Sequence, residues 1–347
     1  MLTKELEERI DKAIQHLCYP SLLKGDMGVC LYYFIQGRMR GDSQLIHKGE
    51  LALEKIMSST GRYKKLCIED GITGFGLGIA YLLHNHYVNG NEDEALREVD
   101  SYVYKGIGVI LENKESSTDI KLPFLDVLVY FWMRQEQVEN VARKRLCRRL
   151  VVCLLNHIYL HRSDSFYQES MPFNLGKESY GFMVMMAKIY EQGMERERIG
   201  RIFNEMKPFL FSNFPLLHAN RLHLMTVARW VGKCIGDSDW LDFANRISEG
   251  IDLRHILEEE LTDKCILPMT GVVGVWMLQE ANRRMGFPVK TDIKEDELRR
   301  RILSSSLWDR IEKDGEYLSN CYSLDGYCGI KILLEYLERK DKHGTEI

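Results

Sequence analysis

The sequence predicts an all-α protein of about seven helical-hairpin repeats that close into an α/α toroid. Three observations support this prediction. Apolar residues recur with a helical period from end to end, and strand signals are sparse. In addition, one pattern returns every 40–55 residues or so: a short polar or glycine-containing turn, then an abruptly apolar helix with few charges.

The repeated turns define the elements in chain order. They begin at Leu22, Glu69, Asp119, Asn174, Leu216, Leu267 and Ser323. The clearest copies share the spacing Gly-x-x-Gly, at Gly25/Gly28, Gly71/Gly74, Gly271/Gly274 and Gly326/Gly329. Glycine at a helix start allows neighbouring backbones to approach closely. The helices that follow carry few charges, so we expect them to be buried on most faces and to form an inner ring.

The segments between these helices are charged and apolar on one side only. Examples are HKGELALEKIMSST at 47–60 and DEALREVDSYVYKGIGVILEN at 93–113, which suit an outer ring of amphipathic helices. An open solenoid would need polar capping repeats at its ends. The last apolar helix is nearly terminal and has no such cap, which favours closure against the first repeat. With 7 prolines and no linker-like stretch, residues 1–347 are predicted to form one domain.

Composition excludes several classes of function. The net charge of -4, with acids and bases interspersed, argues against a nucleic-acid partner. The 9 cysteines lie in apolar helical segments, as is typical of free thiols in a reducing compartment. The N-terminus lacks a signal-peptide pattern, and no apolar run reaches the roughly 18 residues of a membrane span. A cytoplasmic protein is therefore expected.

With these turns, the chain resembles the lanthionine synthetase C-like family over almost its whole length. The resemblance implies layers of paired helices, with glycine-containing loops at one mouth of the barrel. It also implies addition of a peptide cysteine thiolate to a dehydrated Ser or Thr. In that family a zinc ion activates the thiol, because zinc lowers its pKa. The zinc ligands come from a Cys-Tyr-Gly loop in the fifth repeat and a Cys-His-Gly loop in the sixth.

Carried over position by position, the zinc ligands are missing. The sixth turn reads Met269-Thr270-Gly271, and the fifth turn, at 216–220, has neither cysteine nor glycine. Lys177 stands at a histidine position of the fourth turn, and Asp119 stands where the family has a catalytic acid. The resemblance thus implies the family scaffold with no bound metal and no cofactor, with Asp119 as the candidate catalytic residue.

Polar and apolar turn residues at the same predicted mouth are candidates for a substrate pocket. They are Lys177, His218, Arg221, Met269, Thr270 and Asp325. The competing interpretation is that turn residues are polar because turns meet solvent. The resemblance implies that the partner is a peptide, made on the ribosome and handled by neighbouring enzymes, or another protein. We therefore expect a zinc-free peptide-binding or modification-associated scaffold.

Two other functions stay open at the level of sequence. One is a metal-independent peptide-modifying enzyme that uses Asp119, Lys177 or His218 as acid and base groups. The other is a carbohydrate-active toroid with paired carboxylates, since related toroids include glycoside hydrolases. Its candidate carboxylates are Glu69, Asp70, Asp119, Asp126 and Asp325, whose separations decide the stereochemistry.

Two further metal patterns are better explained by structural roles. His157 and His161 have the i, i+4 spacing of a zinc pair, but Ile158 occupies the position of the glutamate in the metalloprotease pattern. Cys265, Cys321 and Cys328 offer three thiols for a substitute site. Cysteine is often a small buried hydrophobic residue, however, and Cys328 follows a glycine turn into an apolar helix.

Overall fold

The computed structural model describes residues 8, 12, 20–59, 65–112, 124–162, 164–169, 171–261, 265–287, 292–313 and 321–343. Within these ranges the regular structure is helical, and no β-strand occurs. No helix there is both long and apolar enough to cross a lipid bilayer. The predicted all-α class is therefore confirmed.

In chain order the longer helices are α1 (Asp26–Arg40), α2 (Ser43–Ser59), α3 (Ile72–His84), α4 (Arg97–Glu112), α5 (Phe124–Gln137), α6 (Val141–His161), α7 (Glu178–Glu191), α8 (Arg196–Phe211), α9 (His218–Ile235), α10 (Ser238–Glu249), α11 (Val272–Arg284), α12 (Glu295–Leu303), α13 (Ser306–Lys313) and α14 (Tyr327–His343). From α1 to α12 the longer helices alternate between apolar and amphipathic, as predicted, and α12 is followed by a second amphipathic helix, α13. Shorter helical turns span Glu92–Ala95, Asp164–Tyr167, Leu253–His255 and Ile256–Glu260.

The backbone divides into two compact units. The first comprises Met1–Leu154 and Arg310–Ile347, and the second comprises Leu155–Asp309. The helices α6 and α13 run across the two boundaries without interruption. That residues 1–347 form a single domain stays a prediction.

The glycine turns explain where the apolar helices begin. In the first unit Gly71 precedes α3, and a Cβ atom there would lie 2.5 Å from the carbonyl oxygen of Lys65. In the second unit a Cβ atom at Gly274 would lie 2.5 Å from the carbonyl oxygen of Pro268. Real Cβ atoms do not come so close to an oxygen. Glycine is thus required for close backbone approach, as the sequence predicted.

The last apolar helix of the first unit packs against the first one. The Asp325 N–H donates to the Leu23 carbonyl at 2.9 Å, and the Ser323 hydroxyl donates to the Gly25 carbonyl at 2.7 Å. Further along, the Arg40 guanidinium on α1 pairs with Glu335 on α14. This contact between the first and last repeats is the one predicted from the uncapped end of the sequence.

In the first unit a buried arginine connects α5 to α4 and to the short helical turn before α4. Arg134 is 0% exposed, and its guanidinium lies 3.0 Å from Glu92, 3.1 Å from Asp93 and 3.0 Å from Asp100. The Tyr130 hydroxyl also donates to Asp100, at 2.7 Å. A buried guanidinium needs such partners, because an unpaired charge inside a protein is very costly.

The second unit is organised around α9, which packs along α7 and α10. The helices α8 and α10 pack against each other through aromatic side chains. Trp240 lies edge-on to Phe203 at 5.8 Å and to Phe211 at 5.1 Å, and Phe211 stacks on Phe243 at 4.3 Å. Each of these amphipathic helices buries one face, in agreement with the predicted outer-type role.

Candidate functional site

The fifth turn is held by two glutamates that come from elsewhere in the second unit. Glu169 accepts the backbone N–H groups of Leu216 at 2.8 Å and Leu217 at 3.0 Å. Glu260 accepts those of His218 at 2.5 Å and Ala219 at 2.9 Å. These donors belong to the start of α9, where a helix leaves its first N–H groups without partners inside the helix. The carboxylates therefore satisfy this end and complement its partial positive charge.

These glutamates explain how the fifth turn keeps its shape without the glycine of the other repeats. The Asn220 side chain adds a third bond to Glu169, at 2.9 Å. Neither glutamate was singled out from the sequence. Glu169 lies outside the repeated turns, and Glu260 ends an acidic run that gives no sign of which residue is buried.

Two predicted pocket residues, His218 and Arg221, support the loops around this turn. The Asp252 N–H donates to His218 Nδ1 at 2.9 Å, and burial lowers the pKa of His218. The Arg221 guanidinium donates to the carbonyls of Pro215 at 2.7 Å and Gly250 at 2.6 Å, and it lies over the Phe214 ring. Most of the hydrogen-bonding capacity of Arg221 is therefore directed at backbone carbonyls.

Lys177 occupies a buried position at the start of α7. The residue is 9% exposed, and its amine donates to the carbonyl of Gln168. It also lies 4.8 Å from the centre of the Tyr180 ring. Burial lowers the pKa of Lys177, and the nearby negative charge of Glu169 opposes that shift. A buried lysine of this kind loses its proton more easily than an exposed one.

His223 lies on α9, one turn after Ala219, and its ring is close to Tyr180 and Lys177. It is buried, and its ring stands edge-on to Tyr180 at 4.6 Å and to Phe173 at 6.2 Å. Burial and the neighbouring Lys177 lower its pKa to about 3, so the imidazole is neutral. Within the described residues His223 Nδ1 has no hydrogen-bond partner. We call Lys177, Tyr180, His223 and Glu169 the Lys177 cluster.

The sixth turn lies against the fourth. The Leu175 N–H donates to the Met269 carbonyl at 2.9 Å, so Met269 lies beside the turn that carries Lys177. Met269 and Thr270 are both partly exposed. Of the predicted pocket residues, the structure thus brings Lys177 and Met269 to adjacent turns. His218 and Arg221 lie at the start of α9, where Asn220 and Leu217 connect them to the Lys177 cluster through Glu169.

Most of the candidate carboxylates belong to the first unit, where they have nearby partners. Asp126 accepts the Ile68 N–H at 2.9 Å, Glu69 pairs with Lys24, and Asp70 accepts the Cys67 thiol at 2.5 Å. Burial, together with Asp70, raises the pKa of Cys67 to about 12. Asp325 lies at the contact between the first and last repeats. Asp119 is outside the described residues.

The side chains at the fifth and sixth turns do not fit the zinc site of the family that the sequence resembles. A thioether and a hydroxyl, from Met269 and Thr270, are not the thiolate and imidazole that zinc prefers. Among the described residues, His218, His255 and Glu260 do place ligand atoms within 4.8 Å of one another. His218 Nδ1 already accepts a backbone N–H, however, so a neutral ring carries its proton on Nε2. Both oxygens of Glu260 are likewise occupied.

In the part of the chain that the structure describes, His157, His161 and Cys328 of the other metal patterns have structural surroundings. The His157 and His161 rings stack at 4.2 Å, and His161 Nδ1 lies 3.0 Å from the His157 carbonyl. Cys328 is fully buried in α14, and burial raises the pKa of its thiol. A protonated thiol in an apolar helix is a packing group rather than a metal ligand.

The fold defines the class of this protein as an α/α toroid. It is similar to the solved structure of nisin cyclase, with a TM-score of 0.63 and 13% sequence identity, over 97% of this chain and 95% of that one. No family model and no curated protein matches the sequence. The likeness confirms the fold that the repeated turns predicted.

Proposed function

We propose that this protein binds a peptide, as a scaffold of the lanthionine synthetase C-like type that works without zinc. The observation that carries the proposal is the combination of that fold with a zinc position filled by Met269 and Thr270. The structural neighbour is named for cyclising nisin, a peptide. A peptide is therefore the ligand class that the fold favours.

The Lys177 cluster is the proposed place of peptide contact in the second unit. Lys177 offers a charged donor in apolar surroundings, beside the buried ring of His223. Polar groups in such surroundings form hydrogen bonds that are stronger than those made in water. A peptide backbone has one carbonyl acceptor per residue, so it can accept a hydrogen bond from the Lys177 amine.

A selection experiment tests this proposal without knowledge of the natural ligand. A displayed library of random linear peptides is passed over the purified full-length protein, and the bound sequences are counted. We expect enriched sequences whose binding weakens by about tenfold in Lys177→Met, because one charge-assisted hydrogen bond is lost. The matched control is Lys188→Met, at the other end of α7, which should bind like the wild type. No enrichment, or equal loss in both variants, would contradict the proposal.

Metal-independent catalysis is a second candidate, and the burial of Lys177 favours it. In this mechanism the amine of Lys177 would have to be unprotonated, and it would accept the proton of a peptide cysteine thiol. The thiolate then adds to the β-carbon of a dehydrated residue, and the proton is delivered to the α-carbon, so that the step is balanced. Incubation with a synthetic peptide that contains dehydroalanine and cysteine tests this function. With the wild type, the peptide should lose its free thiol without a change of mass. With Lys177→Met the thiol should remain free, and likewise with Asp119→Asn if Asp119 is the acid.

The carbohydrate alternative predicts a different response. Soluble oligosaccharides, and not peptides, would raise the melting temperature, because a ligand that binds only the folded state stabilises it. The partners of Asp126, Asp70 and Glu69 favour structural roles for these carboxylates. We therefore expect no shift with oligosaccharides.

A further inference from the structure

The helix α6 has a charge unlike that of the rest of the chain. Its sequence from Val141 to His161 contains no acid, while the whole chain has a net charge of -4. Its basic residues are concentrated in the first two turns, at Arg143, Lys144, Arg145, Arg148 and Arg149. At 1.5 Å per residue these positions span roughly 10 Å of helix.

These basic side chains lie on the outward side of the helix. The opposite side of α6 is apolar and buried, through Cys147, Leu150, Val151 and Leu154. Arg145, Arg148 and Arg149 are exposed, and Lys144 is half-buried. Arg145 and Arg149 are one turn apart, so their side chains are neighbours on the surface. We call Lys144, Arg145, Arg148 and Arg149 the basic face.

The basic face has little compensation from nearby acids. Over the part of the chain that the structure describes, Lys144, Arg145 and Arg149 have no ion pair, and Arg148 donates only to the Gln135 amide, at 3.2 Å. Like charges held together without counter-charges repel one another, which costs stability. Such an arrangement is relieved when an acidic partner binds.

The nearest acidic segment is already committed to another arginine. Arg143 donates to the Asp93 carbonyl at 3.4 Å, so the segment that contains Asp93 lies beside the start of α6. Its carboxylates, Glu92, Asp93 and Asp100, all pair with the buried Arg134. The acids that lie close to α6 therefore pair with the buried Arg134 and not with the basic face.

We propose that the basic face is a docking surface for an acidic helical segment of a partner protein. The guanidinium groups of Arg145 and Arg149 match carboxylates spaced one helical turn apart, since arginine binds carboxylate in a bidentate manner. The surface lies on a different helix from the Lys177 cluster. Binding there can thus be tested whether or not a peptide binds at that cluster.

The shape and charge of the surroundings favour a polypeptide over a membrane or a nucleic acid. Leu146 is the only large apolar residue between Arg143 and Arg149 that is exposed, whereas helices that insert into a bilayer surface carry several aromatic and leucine side chains. A long polyanion extends beyond the basic face and meets a chain whose net charge is negative. A short acidic segment interacts mainly with the basic face itself, because salt screens interactions between charges more than about 8 Å apart.

The probe is a fluorescent synthetic helix that repeats Glu-Glu-Ala-Leu, with a Gln-Gln-Ala-Leu version as its neutral counterpart. Anisotropy with the full-length protein should show binding of the acidic helix only, which weakens as salt is added. In the double variant Arg145→Gln/Arg149→Gln we expect binding at least about tenfold weaker. The matched control is Arg254→Gln/Arg300→Gln, which removes the same charge from two other exposed arginines and should bind within about twofold of the wild type.

Three outcomes would overturn the proposal. The first is no binding of the acidic helix by the wild type. The second is equal weakening in both double variants, which means that only net charge matters. The third is preferential binding of vesicles that contain phosphatidylserine, or of a DNA duplex, over the acidic helix. Melting temperatures that match the wild type show that both variants are folded.

Discussion

At the scale of single residues, burial sets the charge of His223. The imidazole has a pKa near 3 in the folded protein, against an ordinary value of 6.5. As the pH falls below 6.5, the unfolded chain takes up a proton that the folded chain does not. The free energy of unfolding therefore decreases as the pH falls from about 6.5 toward about 3.

Replacement of His223 by phenylalanine tests this coupling. The variant keeps a ring beside Tyr180 but has no group to protonate. We expect the free energy of unfolding of the wild type to fall more steeply below about pH 6 than that of His223→Phe, by up to about 1.4 kcal/mol per pH unit. Urea unfolding at a series of pH values measures both curves. Parallel curves would show that His223 is protonated in the folded state.

The residues of the site were only partly predictable. The repeated pattern identified Lys177, His218 and Met269 because each occupies a turn of known phase. Glu169, Glu260 and Tyr180 carry no such mark, since their roles depend on which segments meet after folding. Arg221 was predicted to line a pocket on chemical grounds, yet its guanidinium binds backbone carbonyls.

At the scale of elements, the start of α9 depends on glutamates distant in sequence. Glu260 has a side chain that is 4% exposed and accepts two N–H groups. In Glu260→Gln one of these donors would face an amide NH₂ group instead of an oxygen. We expect a loss of about 1–2 kcal/mol in the free energy of unfolding, the usual cost of a lost helix cap.

The neighbouring Glu259 provides a matched control for this substitution. Its side chain is 69% exposed, and Glu259→Gln removes the same charge from the same acidic run. Its free energy of unfolding should stay within about 0.5 kcal/mol of the wild type. Equal losses in the two variants would mean that charge, and not capping, is what Glu260 contributes.

The helices themselves were largely predictable. The apolar helices α1, α3, α11 and α14 begin directly after the glycine turns, because the helical period and the turn residues agree there. The charge of α6 is different. The net charge of the whole chain hides it, because acids outnumber bases in the rest of the sequence.

At the scale of the whole molecule, we predict one cooperative unit. The helix α6 continues through the boundary between Leu154 and Leu155, so separate melting of the two units would have to break a helix. Calorimetry should therefore show a single transition, with equal calorimetric and van't Hoff enthalpies. Two resolved transitions would show that the units are separate domains.

We propose that this protein functions without the zinc ion of the family that its sequence resembles. The direct measurement is the metal content of the purified full-length protein by elemental mass spectrometry, before and after dialysis against a chelator. We predict far less than one zinc per chain. Met269 and Thr270 stand in place of its ligands, and His218 Nδ1 and both carboxylate oxygens of Glu260 already accept backbone hydrogen bonds. One tightly held zinc per chain would contradict the claim and return thiol activation to the centre of the mechanism.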